Sequence, residues 1–122
     1  MPRILVVDDE EEVRNLLALF LGKKNYSVVT ADSAETAIAA LEKDKVDAVL
    51  LDIELPGLNG LEALRKIQAS WPDLPVVMVS GQDEEELAKE TLKAGAFDYV
   101  VKPLDLDYLE RTLRMKLTER LA

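Results

Sequence analysis

The stretch Ile4-Leu5-Val6-Val7-Asp8-Asp9 decides how this chain is read: four apolar residues in succession stop at two carboxylates. An apolar run with no polar alternation is the pattern of a strand buried on both faces. Working outward, the run recurs at Ser27-Val28-Val29-Thr30, Ala48-Val49-Leu50-Leu51, Val76-Val77-Met78-Val79 and Tyr99-Val100-Val101. Each is short, rich in β-branched residues and reads as a strand. Between the runs the period changes. Val13, Leu16, Leu17, Phe20 and Leu21 follow the i, i+3, i+4, i+7, i+8 spacing of an amphipathic helix, and Ala34, Ala37, Ile38 and Leu41 repeat it. A third helix is expected from Gly60 through Leu61, Leu64 and Ile67 toward Trp71. A fourth should start near Asp83, with Glu86 three residues on as a capping box, and stop at Gly95. A fifth opens after Pro103 with Asp105 as its cap and carries Leu109, Leu113 and Leu117 on one stripe.

Five strands alternating with five helices require right-handed crossovers, which place helices on both sides of a parallel sheet. The expected fold class is therefore α/β, a three-layer sandwich around a doubly wound five-stranded parallel sheet. At 122 residues the chain is expected to form one domain, 1–122, with its own core. With 15 Lys+Arg against 24 Asp+Glu the net charge is -9, which opposes binding to nucleic-acid backbones and anionic membranes. There is no cysteine and no histidine, so disulfides, thiolate nucleophiles, Cys- or His-ligated metals and imidazole bases are excluded. Chemistry must come from carboxylates, hydroxyls and amines. No apolar run approaches a membrane span and no signal-like stretch opens the chain, so a cytoplasmic location is expected.

In an open parallel sheet, ligands bind outside the carboxyl ends of the strands. The first strand ends at Asp8-Asp9, the third at Asp52, the fourth at Ser80 and the fifth at Lys102-Pro103. Taken singly these residues have ordinary explanations: Asp8 to Glu12 as an acidic helix cap, Ser80 as a turn former, Lys102 as a solvated lysine. Taken together they suit metal-assisted phosphoryl transfer to a carboxylate. Crowded carboxylates cannot all ionise without compensation, and hard oxygen ligands suit Mg²⁺. Asp52 is then the candidate nucleophile, Ser80 a hydroxyl donor to the phosphoryl group, and Lys102 a point charge for its oxygens.

The motifs Ile4-Leu5-Val6-Val7-Asp8-Asp9, Leu51-Asp52-Ile53-Glu54-Leu55-Pro56-Gly57-Leu58-Asn59-Gly60, Val79-Ser80-Gly81, and Ala94-Gly95-Ala96 leading to Tyr99-Val100-Val101-Lys102-Pro103 resemble the receiver domain of two-component response regulators along the whole chain. The resemblance implies a flavodoxin-like sheet in the order 2-1-3-4-5. It implies Asp52 as phosphoacceptor, Asp9 as the main acidic Mg²⁺ ligand, Asp8 acting through a bound water, and the Glu54 backbone carbonyl completing the set. Ser80 and Tyr99 would form the switch pair and Lys102 would contact the phosphate. The Lys102-Pro103 bond would be cis, although only about 5–6% of X-Pro bonds in folded proteins are.

Further implications concern partners. A histidine kinase or phosphotransfer protein would donate the phosphoryl group. The surface of the fourth helix, fifth strand and fifth helix, including Tyr99, Tyr108, Thr112 and Met115, would address an output domain or downstream protein, with a homodimer on activation as one form of response. The chain would act only on its own aspartate rather than as a turnover enzyme. Two features depart from the commonest pattern: Glu54 adds a carboxylate that could attract Lys102 in the resting state or repel water, and Ser80 replaces a threonine. Two other readings stay open. One is a Mg²⁺-dependent phosphatase of haloacid dehalogenase type, against which Glu54 stands where a second Asp should be and no cap domain is visible. The other is a receiver-like binding module that is never phosphorylated, which the intact Asp8, Asp9, Asp52, Ser80 and Lys102 set disfavours.

Overall fold

The computed structural model describes the backbone of residues 1–121 and the side chains of residues 1–119; Ala122, the last residue of the expected domain, lies outside the described residues. The strands are β1 (Arg3–Val7), β2 (Ser27–Ala31), β3 (Ala48–Asp52), β4 (Val76–Ser80) and β5 (Asp98–Val101). The helices are α1 (Glu11–Lys23), α2 (Ala34–Lys43), α3 (Gly60–Ser70), α4 (Glu85–Lys93) and α5 (Leu106–Leu121). All strand pairs are parallel, in the order β2-β1-β3-β4-β5. This is the doubly wound arrangement expected from the alternation of elements.

Successive residues of a strand point to opposite faces. Leu5 and Val7 of β1 accordingly join a core with Ala34, Ala37 and Leu41 of α2 and Ala63, Leu64 and Ile67 of α3. Ile4 and Val6 face the other way, onto Leu17 and Leu21 of α1 and Leu109, Leu113 and Leu117 of α5. The central strands β3 and β4 are buried throughout, whereas the outer strand β2 is mostly half-buried, because an edge has a neighbour on one side only. The expectation of strands buried on both faces therefore holds in the middle of the sheet and relaxes at its margin. In α1 the apolar stripe is also narrower than its sequence spacing implies: Leu17 and Leu21 are buried, but Leu16 is 50% exposed.

Helix starts follow local chemistry. Asn59 caps α3 by accepting from the Glu62 amide, and Asp105 accepts from the Tyr108 amide at the start of α5. The expected capping box at Asp83 and Glu86 is absent. Helix α4 begins two residues later, its first flanking residue is Glu84, and no side chain caps it. A run of four acids, Asp83 to Glu86, carries no apolar marker to fix where the helix starts. The capping box lies instead at Ser33 and Thr36, whose side chains and amides bond reciprocally at the start of α2.

At the other end of α4, Gly95 adopts φ +110°, a conformation that strongly favours glycine. A Cβ there would stand 2.8 Å from the side-chain oxygen of Gln68 in α3, and Gln68 is itself fixed by donating to the Leu74 carbonyl. The carboxyl end of α4 thus sits directly on α3.

Candidate functional site

Strand register brings the candidate residues to one rim. Val7 of β1 pairs with Leu51 of β3, Asp52 with Val79 of β4, and Ser80 with Val101 of β5. The residues that end or follow these strands therefore emerge side by side. Gly60 tightens the arrangement: its amide donates to the Ile53 carbonyl at 2.9 Å, and a Cβ on it would lie 2.3 Å from the Ile53 Cα. Only glycine lets the start of α3 close against the backbone that follows Asp52.

Lys102 is the centre of the site. Its Nζ lies 3.2 Å from Asp8 Oδ2, 3.3 Å from Asp52 Oδ2 and 3.6 Å from Glu10 Oε1. Asp8 and Asp52 are each only 2% exposed. Asp8 Oδ1 also accepts from the Glu10 amide at 2.8 Å, and Asp52 Oδ1 from the Glu54 amide at 3.0 Å. Arg14 donates to the Asp8 backbone carbonyl at 2.7 Å. Two buried carboxylates are thus held by one ammonium and by neighbouring amides.

The electrostatics are strained in a directed way. Burial pushes Asp52 above the ordinary carboxylate range, and the charge of Asp8 adds to this, while the Glu54 amide and Lys102 pull against it. Burial pulls Lys102 down, but the charges of Asp52 and Asp8 outweigh it and leave the ammonium net raised. One cation shared by two buried acids leaves negative charge in excess. Beside them, Asp8, Asp9 and Glu10 each offer a carboxylate oxygen, all within 4.8 Å of one another. That set of hard oxygens fits a small divalent cation.

The expected residues divide into two groups. Asp8, Asp52 and Lys102 form one bonded unit, with Asp9 exposed at its edge. Glu54 does not attract Lys102. Its Oε1 instead accepts from the Gly81 amide at 2.7 Å and from Ser80 Oγ at 3.2 Å. The strong local charge of Asp8 and Asp52 already occupies the lysine, and the loop after β3 aims Glu54 at β4. Ser80 is fully buried and also accepts from the Gln82 amide at 2.9 Å, so its turn-forming role is real as well. Tyr99 is half-buried against the α2/α3 side of the core, and its hydroxyl donates to the Gln82 carbonyl at 2.7 Å. Lys102-Pro103 is cis.

On the surface of α4, β5 and α5, the Tyr108 hydroxyl donates to Asp98 Oδ2 at 2.7 Å, and that bond pushes the phenol above its ordinary pKa. Thr112 is half-buried and Met115 exposed. Sequence reasoning missed Glu10, Arg14 and the Gly81 amide. Glu10 had a signal, since it directly follows the acid pair, but the run Asp8 to Glu12 also reads as a helix cap. Glu11 and Glu12 do occupy the first turn of α1.

A doubly wound sheet with buried acids and a lysine gathered at its carboxyl rim defines the class of open α/β proteins whose ligand sites lie at that rim. Within that class the chain belongs to the response regulator receiver domain family, whose profile matches residues 4–114. It is 36% identical over 115 residues to the regulatory protein AtoC of Escherichia coli, covering 94% of this chain and 25% of that protein. It is 38% identical to the response regulator MprA of Mycolicibacterium vanbaalenii, covering 94% of this chain and 50% of that protein. The chain therefore spans between a quarter and a half of the length of these relatives. Among solved structures, the receiver domain of NtrX from Brucella abortus superposes with TM-score 0.89 at 39% identity, covering 94% of this chain and 98% of that one. A CheY-like receiver domain protein from Methanospirillum hungatei gives 0.93 at 32% identity, covering 98% and 95%. Membership of this family supports a phosphorylation-activated signalling switch of a two-component system. No helix among the described residues is long and apolar enough to cross a membrane.

Proposed function

We propose that Asp52 accepts a phosphoryl group from the phosphohistidine of a histidine kinase or phosphotransfer protein, and that residues 1–122 act as one receiver domain. The observation that carries this reading is the Lys102 ammonium shared between Asp8 and Asp52. A carboxylate oxygen of Asp52 forms the new O–P bond as the N–P bond of the donor breaks, and the imidazole leaves with the bonding pair. The raised pKa of Asp52 works against ionisation, and Lys102 keeps the nucleophile charged until the donor arrives. Lys102 then transfers its contact from Asp52 to a phosphoryl oxygen. Asp8 and Asp9, with Glu10 beside them and the Glu54 carbonyl and Asp52 completing the set, would hold Mg²⁺. When bound, that ion would supply positive charge for the phosphoryl oxygens, while Asp52 attacks in line. Catalysis is otherwise positioning, confined to the chain's own aspartate.

The phosphoryl group brings nearly two negative charges and strong acceptors. Ser80 would donate to it, the β4–α4 loop would follow, and Tyr99 would turn inward as its bond to the Gln82 carbonyl is lost. The α4, β5 and α5 surface would then address an output domain, a downstream protein or a second copy of the chain in the cytoplasm. The net charge of -9 disfavours direct DNA contact by this segment.

With Mg²⁺ and acetyl phosphate, mass spectrometry should show one phosphoryl group on the wild type and none on Asp52→Asn. Equal labelling of the variant would remove the nucleophile assignment. Steady phosphate release from many unrelated monoesters would favour a phosphatase instead.

A further inference from the structure

Ser80, expected to donate to the phosphoryl group, and the Gly81 amide beside it are already engaged by another anion. Glu54, exposed at the rim, reaches over β4 so that its Oε1 accepts from both Ser80 Oγ and the Gly81 amide. Ser80 Oγ in turn accepts from the Gln82 amide, and the Gln82 carbonyl accepts from the Tyr99 hydroxyl. One continuous set of hydrogen bonds therefore runs from the loop after Asp52, through β4 and the β4–α4 loop, to β5.

We propose that the Glu54 carboxylate is a positioning residue that opposes switching: it occupies the Ser80 and Gly81 donors in the resting state and must be displaced when Asp52 is phosphorylated. The inference rests on the phosphoacceptor reading above. Its core is a stoichiometric limit. A serine hydroxyl has one proton and a backbone amide has one, so neither can serve Glu54 and a phosphoryl oxygen at full strength together. Ser80 is fully buried, and among the described residues no buried side-chain polar atom lacks a partner. Removing Glu54 leaves the Ser80 proton without this acceptor at rest, which penalises the resting conformer and not the phosphorylated one. The equilibrium between them shifts by that difference. Glu54 thus sets how much phosphoryl contact is needed before Gln82 and Tyr99 are released.

The test uses beryllium fluoride with Mg²⁺, which adds to a carboxylate as a tetrahedral phosphoryl mimic, titrated into the whole chain and followed by amide NMR. Glu54→Ala should bind the mimic roughly fivefold more tightly than wild type, the scale of one exchanged hydrogen bond. Glu54→Gln keeps an acceptor but loses the charge, and should fall between the two. In a Ser80→Ala background the gain from Glu54→Ala should shrink to about half on a logarithmic scale, since only the Gly81 donor remains to be freed. In the unliganded protein, both Glu54 variants should move the Gly81, Gln82 and Tyr99 resonances toward their positions in the mimic-bound wild type. If Glu54→Ala does not fold, Glu54→Gln and its Ser80→Ala double variant carry the comparison.

Equal gains in Glu54→Gln and Glu54→Ala, undiminished by Ser80→Ala, would reduce Glu54 to a bulk negative charge and overturn the proposal. So would unchanged affinity with unchanged Gly81 and Gln82 resonances. A wild type that binds no mimic, or an Asp52→Asn variant that binds it as well, would instead sink the phosphoacceptor reading itself.

Discussion

Helices α3 and α4 lie on the same side of the sheet and flank the same site, yet they are held very differently. Helix α3 buries Gly60, Ala63, Leu64 and Ile67 and is capped by Asn59. Helix α4 buries only Thr91, has Leu87 half-buried, and starts without a side-chain cap. Full burial of a large aliphatic side chain contributes roughly 1.5–3 kcal/mol, and α3 has two of these, Leu64 and Ile67, where α4 has only the half-buried Leu87. The difference shows where the fold is rigid and where it can respond. The loop that follows Asp52 and carries Glu54 leads into the fixed helix. The loop that carries Gly81 and Gln82 leads into the loosely held one. On the phosphoacceptor reading proposed above, a change at Asp52 would be transmitted toward α4, because local opening is easiest where apolar contacts are fewest.

The comparison can be broken most directly from its strong side. Ile67→Ala should cost about 3–4 kcal/mol in a urea titration, because its side chain is fully buried beneath α3. Lys102→Met tests whether the charged rim, rather than helix packing, is the weak point. It leaves Asp8 and Asp52 buried with no shared cation, and should cost roughly 2 kcal/mol, part of it restored by millimolar Mg²⁺. Asn59→Ala should cost about 1 kcal/mol and raise amide exchange in the first turn of α3 toward that of α4. Glu84→Ser supplies α4 with the cap it lacks. A gain of about 0.5 kcal/mol, with slower exchange confined to the first turn of α4, is expected.

The smallest effect is a control on the opposite face. Tyr26 is buried and bonded to Glu110, which together push its phenol from the ordinary 10.0 to about 12. Between those values the folded chain retains a proton that the unfolded chain has lost, so stability falls as pH rises through that window. Tyr26→Phe should flatten the stability curve there and leave the α3–α4 exchange contrast unchanged. A contrast that moved with this substitution would mean that the two faces are coupled.

Much of this was legible beforehand because the signals are local. Apolar runs ending in Asp8, Asp52 and Lys102 mark both a strand and the ionisable group at its end, and the regular alternation with helices leaves few topologies. The start of α4 was misplaced because Asp83 to Glu86 are all solvated acids, so no apolar period marks the first turn. Leu16 was misassigned because spacing alone does not say how wide a stripe the neighbouring strands will cover. The bonds of Glu54 were out of reach for a different reason. They join Glu54 to Ser80 and Gly81, 26 and 27 positions away, and so depend on how the loop after β3 meets the end of β4, which no local pattern sets. Sequence placed a carboxylate near the site but not the donors it would meet.

The seat of Gly95 on Gln68 gives α4 a mechanical character. A rod fastened at one end and loose at the other swings rather than slides. Nine residues make α4 about 13 Å long, so a tilt of 10° about its carboxyl end moves its opening turn by roughly 2 Å. The turn that travels farthest is the one that follows Gln82 and the acid run Asp83 to Glu86, so a small rotation redistributes a dense patch of negative charge while the pivot stays still.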